Sequence, residues 1–261
     1  MQRYSHHYSI TAADMNKDYR LTPSAVLLYY QDCWARFMSV HHLAAFDIVK
    51  QGMMWVITEF NVELTTADAF WSEELNVTVW NSELTPFRLY SEFVITTAEN
   101  RTEVAKGYAC WNLLNTVTKR LGRTDLLEGQ PEIDSQLTIG EHKKSKIDEE
   151  GEIIQTVNHK VNHLDLDFNG HTNNRSYLSI AMLTAPDEFL LSHALRQMHI
   201  KWMHETFLDD TIRCELRRID DSSTEFLHIL YNGANQPVAT ITSQWQPISD
   251  RTEISEIVER K

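Results

Sequence analysis

"TPSAVLLYYQDCWARF", residues 22–37, decides how the rest of the chain is read. A threonine followed by proline is a helix start: the hydroxyl accepts from a free backbone N–H of the first turn, and proline fits the first helical position. Behind it Val26, Tyr30, Cys33, Trp34 and Phe37 recur at helical spacing, which predicts one long amphipathic helix. The period then changes to two. "EFNVEL" (59–64) puts Phe60, Val62 and Leu64 on one face and Asn61 and Glu63 on the other, and "LNVTVW" (75–80) does the same with Leu75, Val77 and Val79. "LYSEFVIT" (89–96) and "YACWNLL" (108–114) add two strands around the turn-rich "AENRTE" (98–103).

This order is replayed. Thr172 is expected to cap a second long helix with Tyr177, Ile180 and Ala181 on its apolar face, followed by strands "HIKWM" (199–203), "IRCEL" (212–216), "EFLHILY" (225–231) and "VATITSQW" (238–245). "ACWN" (109–112) closes the first set and "SQWQ" (243–246) the second, so Trp111 and Trp245 hold equivalent places. A repeat this long is a duplication. One long helix followed by an antiparallel sheet, twice, predicts an α+β fold in which each half wraps a sheet round a helix, two halves forming a pseudo-dimer in one chain. The expected division is 1–129 for the first half, a polar linker over 130–152, 153–250 for the second half, and a terminal helix over 251–261. That last helix has Ile254, Ile257 and Val258 behind an Asp250-x-x-Glu253 capping box.

Composition narrows the function. Hydrophobic residues make up 42% of 261 and charged ones 23%, as in ordinary folded chains. Lys plus Arg minus Asp plus Glu is 24 − 37 = −13, which excludes a general nucleic-acid binder and requires any acidic partner to dock on a local basic patch. Cys33, Cys110 and Cys214 form no C-x-x-C pair, so a reducing compartment is expected, with neither disulfide framework nor zinc site. His6-His7 and His41-His42 point apart, and His159 with His163 lacks further ligands, so no metal and no cofactor is expected. No apolar run approaches the length of a membrane span, and the N-terminus reads as neither signal nor transit peptide, so the expectation is a cytoplasmic protein with no membrane partner.

"DLDFNGHTNN" (165–174) leads into the second helix. With its flanks, "LDLDFNGHTNNRSYL" (164–178) resembles the signature of the acyl-acyl-carrier-protein thioesterases, an Asp-x-Asn-x-His run before a helix. "IKWMHETFLDD" (200–210) resembles another family segment, and it places Glu205 34 residues beyond His171 (205 − 171), the family spacing. "MMWVITEFNVEL" (53–64) and "ACWNLLNTVTKRLGR" (109–123) are also similar to family segments. The resemblance, to a bacterial member akin to the plant fatty acyl thioesterases, implies a tandem (double) hotdog fold. It implies hydrolysis of fatty acyl-acyl carrier protein, releasing free fatty acid, with the carrier protein as partner. Monomer and homodimer are both compatible with the duplication.

The chemistry such a reaction needs can be assigned. Glu205 is the candidate base for water, a carboxylate that burial can tune. Asn169 and His171, two residues apart and expected to point the same way on an extended stretch, can orient the water or donate to the oxyanion, joined by backbone N–H groups at the start of the helix. Asp167 continues that face and can hold Asn169 or His171. The sequence departs from the family at Thr206, where many members carry a cysteine after the glutamate, which argues against a covalent cysteine mechanism.

Two alternatives stand beside this one: an acyl-CoA thioesterase, and a non-catalytic acyl-thioester binder, which would need no Glu205. Lys119, Arg120, Arg123, Arg213, Arg217 and Arg218 are the candidates for docking the carrier. Aligning Asp18 with Asp167 puts Arg20 opposite Asn169 and Thr22 opposite His171, so the first half lacks the polar pair and is expected to form the acyl tunnel.

Overall fold

The computed structural model describes residues 2–16, 20–65, 69, 71, 73–142, 151–219 and 224–248. The chain opens with a strand, β1 (Arg3–Ser9), before α1 (Pro23–Val40). Thr22 Oγ1 accepts from Ala25 N at 3.2 Å, Pro23 takes the first turn, and the stripe from Val26 to Phe37 is buried as its spacing predicts. A short α2 (Ala45–Ile48) leads to β2 (Met53–Leu64), β3 (Glu74–Leu84), β4 (Leu89–Thr97), β5 (Glu103–Asn115) and the two-residue β6 (Leu121–Gly122). The second half again begins with a strand, β7 (Glu152–Lys160), then α3 (Asn174–Met182), α4 (Asp187–Ser192), β8 (His193–Trp202), β9 (Thr211–Arg218), β10 (Glu225–Tyr231) and β11 (Pro237–Pro247).

The second helix is shorter and starts one residue later than expected. Asn173, not Thr172, is its N-cap, its side chain accepting from Arg175 N. Thr172 is diverted because its hydroxyl donates to Thr206 O at 3.1 Å. The helix stops at Met182 after nine residues, against 18 for α1. Pro186 disfavours helical geometry at Ala185, and Thr184 Oγ1 folds back to donate to Ala181 O at 2.6 Å.

All the strands join one antiparallel sheet in the order β1-β3-β4-β5-β2-β8-β11-β10-β9-β7, with β6 on β5. Exchange the two halves and the order reads the same. The pseudo-two-fold passes through the β2–β8 seam at Asn61 opposite His199. Trp111 pairs with Ile57 and Trp245 with Leu195, each four residues before its seam residue, and each lies just past a one-residue bulge. The two tryptophans are therefore equivalent in register, bulge included.

In the first half the space between α1 and the sheet is filled by aromatic rings. Trp34 stacks on Trp111 at 3.8 Å, and Tyr30, Phe60 and Phe93 lie 4.9–5.6 Å from one another. Trp111 Nε1 donates to Tyr30 OH at 2.7 Å and Ser91 Oγ at 3.1 Å, which satisfies a buried polar group inside this cluster. Gly107 is required there: a Cβ would meet Asn61 O at 2.0 Å and the Phe93 ring at 2.7 Å.

Residues 131–142 run over the opposite face of the first half's sheet. Trp80 Nε1 donates to Gln136 O at 2.7 Å, and Arg3 Nε to Asp134 Oδ2 at 2.7 Å. The segment ends on Glu92, a fully buried carboxylate that accepts from Ser82 Oγ and from Thr138 N and Oγ1. His142 Nε2 lies 2.8 Å from Glu92 Oε1, and its ring stacks on Tyr90 at 4.0 Å. Residues 143–150 and 249–261, including the expected terminal helix and its Asp250–Glu253 box, fall outside the described residues.

The His142 contact makes this strap pH-dependent. Burial pulls the imidazole pKa down, but Glu92 and Glu83 outweigh it and raise it above the ordinary value of 6.5. A raised pKa means the contribution is complete below about 6.5 and is lost as pH climbs through the folded-state value. Thermal stability is expected to fall over that window, and His142→Asn should flatten the slope. An unchanged pH profile in the variant would show that the contact contributes nothing.

Candidate active site

Asp167 to His171 form a tight turn rather than the expected extended stretch. Gly170 N donates to Asp167 O at 3.1 Å and Asp167 N to His171 O at 2.8 Å, closed by a bridge between Leu166 and Thr172. Gly170 has φ +80°, a left-handed conformation that would strain any other side chain. Asp167, Asn169 and His171 nevertheless all line one cleft, with Glu205.

Asp167 Oδ1 accepts from Asn169 N at 2.8 Å and His171 N at 3.1 Å, so this carboxylate builds the loop that carries its neighbours. The first half repeats the construction with an amide: Asn16 N donates to Arg20 O at 2.8 Å and Arg20 N to Asn16 Oδ1 at 3.0 Å. The bridges Met15–Leu21 and Leu166–Thr172 fix the correspondence at 151 residues (166 − 15 and 172 − 21). Asp167 thus matches Asn16 and His171 matches Arg20, so the alignment expected from sequence is two residues out. Asn169 matches Asp18, which lies outside the described residues.

Because Asn16 holds its loop without a charge, Asp167→Asn is expected to keep kcat/KM near the parent value. Asp167→Ala should lower it about tenfold, the scale of one lost hydrogen bond to a charged group. If asparagine is as damaging as alanine, the negative charge itself takes part.

His171 Nδ1 sits 3.3 Å from Glu205 Oε1, and the ring stands edge-on to Phe207 at 5.1 Å. Glu205 comes three residues after β8 ends, and its side chain is 43% exposed, so the burial expected to tune it is not present. The next residue points the other way. Thr206 is fully buried, its hydroxyl donating to Thr172 Oγ1 at 2.7 Å and lying 2.9 Å from Tyr177 OH. The position where many family members carry a cysteine is thus turned into the core, away from the cleft. The cysteines are also buried, and burial pushes the thiols of Cys33, Cys110 and Cys214 up to about 12, 11 and 12. They stay protonated and unreactive.

Two backbone donors just before the helix are committed elsewhere: Thr172 N donates to Thr206 O at 2.8 Å and Asn173 N to Asp165 O at 2.7 Å. The loop's own N–H groups at Asn169, Gly170 and His171 all donate to Asp167. Among side-chain donors, Asn169, His171 and Asn174 line the cleft.

The cleft, of about 740 Å³, is shared between halves. The polar loops come from the second half, whereas Gln31, Trp55, Ile57 and Trp111 form a wall from the first. Lys201, paired with Glu59 at 3.6 Å, borders it as well. Gln31, Asn174 and Lys201 carried no signal in the sequence, because the cleft exists only once β2 and β8 pair.

The six cations expected as a docking patch do not act together. Arg213 and Arg217 flank Glu215, Arg123 lies 2.6 Å from Asp125, and Arg218 pairs with Glu152 at 3.8 Å. β9, which carries three of them, is separated from β5 by four strands. Lys119 borders the cleft, and neither it nor Arg120 has a carboxylate partner among the described residues. No cluster of three metal-ligating side chains occurs among the described residues.

Two helix-on-sheet units joined edge to edge in one chain define a double hotdog. Residues 148–247 match the model of the acyl-ACP thioesterase C-terminal domain. It is 24% identical over 190 residues to the chloroplastic palmitoyl-acyl carrier protein thioesterase of Gossypium hirsutum, covering 69% of this chain and 44% of that one. It is 21% identical over 234 residues to the chloroplastic oleoyl-acyl carrier protein thioesterase 2 of Arabidopsis thaliana, covering 77% and 64%. The chain spans about half the length of the curated relatives it matches. In fold it is similar to an acyl-ACP thioesterase from Bacteroides thetaiotaomicron (TM-score 0.83, 15% identity, 94% of this chain and 98% of that one). It is also similar to the 12:0-ACP thioesterase from Umbellularia californica (TM-score 0.80, 16% identity, 95% of each).

Proposed function

We propose that the chain hydrolyses the thioester of a fatty acyl group carried on acyl carrier protein, releasing the free fatty acid. The observation that carries this reading is the convergence of Asn169, His171 and Glu205 on one cleft that the first half also lines with Trp55, Ile57 and Trp111. Glu205 takes a proton from water as the oxygen adds to the thioester carbonyl carbon. The side chains of Asn169 and His171 donate to the developing oxyanion. As the tetrahedral intermediate collapses, the carbon–sulfur bond breaks and the proton held by Glu205 passes to the thiolate. His171, 3.3 Å from Glu205, orients the carboxylate. The acyl chain lies along Trp55, Ile57 and Trp111, so the halves divide labour: catalysis from the second, chain binding from the first.

Lys119 and Arg120 are suited to an acidic carrier protein, against a net charge of −13. Three free, buried cysteines support a reducing, cytoplasmic setting. A coenzyme A thioester would meet the same chemistry with a different handle.

The deciding experiment compares turnover of one acyl group on acyl carrier protein, on coenzyme A and on pantetheine. Faster hydrolysis from the carrier protein is expected, with Lys119→Glu/Arg120→Glu raising KM for that substrate and not for the pantetheine thioester. Preference for coenzyme A would move the substrate class, and binding without turnover on any of the three would reject hydrolysis.

A further inference from the structure

The pseudo-two-fold that exchanges the halves carries the candidate active cleft onto a second cavity, also of about 740 Å³. Its lining matches position by position: Asn16 for Asp167, Arg20 for His171, Leu195 for Ile57, Trp245 for Trp111, and Met182 for Gln31. Two differences decide what this cavity can do.

The first is room. Where α1 carries Tyr30 and Trp34, the matching positions in the second half are Ala181 and Ala185, and Met198 takes the place that Phe60 holds in the first half. The rings that α1 places against Trp111 are thus missing beside Trp245, which instead meets Phe189 edge-on at 5.5 Å. The walls are Leu178, Met182, Leu190, Leu195 and Met198, a surface suited to hydrocarbon.

The second is charge. Arg20 from one half and Arg175 from the other both border the cavity, and neither guanidinium has a hydrogen-bond or ion-pair partner among the described residues. Two carboxylates also border it, but both are already engaged. Asp14 Oδ2 accepts from Thr11 N, Thr11 Oγ1 and Tyr29 OH, and Asp165 Oδ2 accepts from Asn162 N and lies 2.8 Å from His159 Nε2. The uncommitted charge is positive. A guanidinium in the place of His171 is never a base, so this cavity can hold a ligand without hydrolysing it.

We propose that this second cavity binds a long-chain carboxylate, a free fatty acid, with its hydrocarbon along the apolar walls and its carboxylate on Arg20 and Arg175. The proposal rests on the cavity and its two arginines, not on catalysis in the other cleft. Should the cleft also release fatty acid, the reaction product would be a ligand of its own non-catalytic twin.

Calorimetric titration of the full chain with laurate tests this. Arg20→Ala/Arg175→Ala is expected to weaken one class of site about tenfold or more, the scale of losing charge-assisted hydrogen bonds. Ser179→Trp, at an exposed helix position bordering the cavity, should block the same site with both arginines intact. Ile57→Trp, which obstructs the candidate active cleft, should leave that site unchanged. Parent affinity in both the arginine and Ser179 variants, or loss of all laurate binding in Ile57→Trp alone, would overturn the proposal. Because the readout is binding, it stands or falls separately from any thioesterase assay.

Discussion

Glu205→Ala is expected to lower kcat/KM on a fatty acyl carrier-protein thioester by about 10²–10⁴-fold, the usual worth of a positioned general base. The geometry separates this from a folding defect. Glu205 lies after the end of β8 with its side chain 43% exposed, its described neighbour being His171 at 3.3 Å, so its removal leaves no buried charge unpaired. Melting temperature should stay close to the parent value while turnover collapses. Glu205→Gln, which keeps shape but cannot accept a proton, should be comparably slow. Near-parent turnover in either folded variant would remove Glu205 from the mechanism and leave His171 as the remaining base.

The second large effect is expected at Trp111. Its ring borders the cleft, stacks on Trp34 at 3.8 Å and is tied to Tyr30 and Ser91, so it closes the path along which an acyl chain could extend into the first half. Trp111→Ala should shift chain-length preference upward. Each further methylene that enters the opened space is worth about 0.8 kcal/mol, or about fourfold in kcat/KM. The same change should cost about 3–5 kcal/mol of stability, as truncation of a buried aromatic ring does. A chain-length profile and a melting curve on the same preparation measure both. A folded variant with an unaltered profile would show that Trp111 does not face the acyl group.

How much was legible in the sequence follows from how local each feature is. α1 announced itself because a cap, a proline and a buried stripe agree within one segment. The inner strands did so because Phe60, Val62 and Leu64 alternate with polar residues. β1 and β7 escaped notice because they are the sheet's two ends, and "RYSHHYS" and "EIIQTVNHK" lack a clean apolar face. The second helix was read as starting at Thr172 and running long. Nothing near Thr172 reveals that its hydroxyl is drawn to Thr206, 34 residues on. Asn169, His171 and Glu205 could be named because their types and spacing match a family pattern. The wall they face could not, since Trp55 and Ile57 reach them only through the β2–β8 seam. Asp167 needed the structure too: only the twin loop at Asn16 shows that a neutral amide does the same work.

That seam has a consequence for dilution. Residues 59–63 of β2 pair with 197–201 of β8 within a single chain. Two separate hotdog chains meeting along such an edge would have to find each other, and their folded fraction would rise and fall with protein concentration. Here the encounter is intramolecular, with the partner strand held at an effective concentration that dilution cannot lower. The cleft, which needs both halves, therefore stays assembled however scarce the protein is.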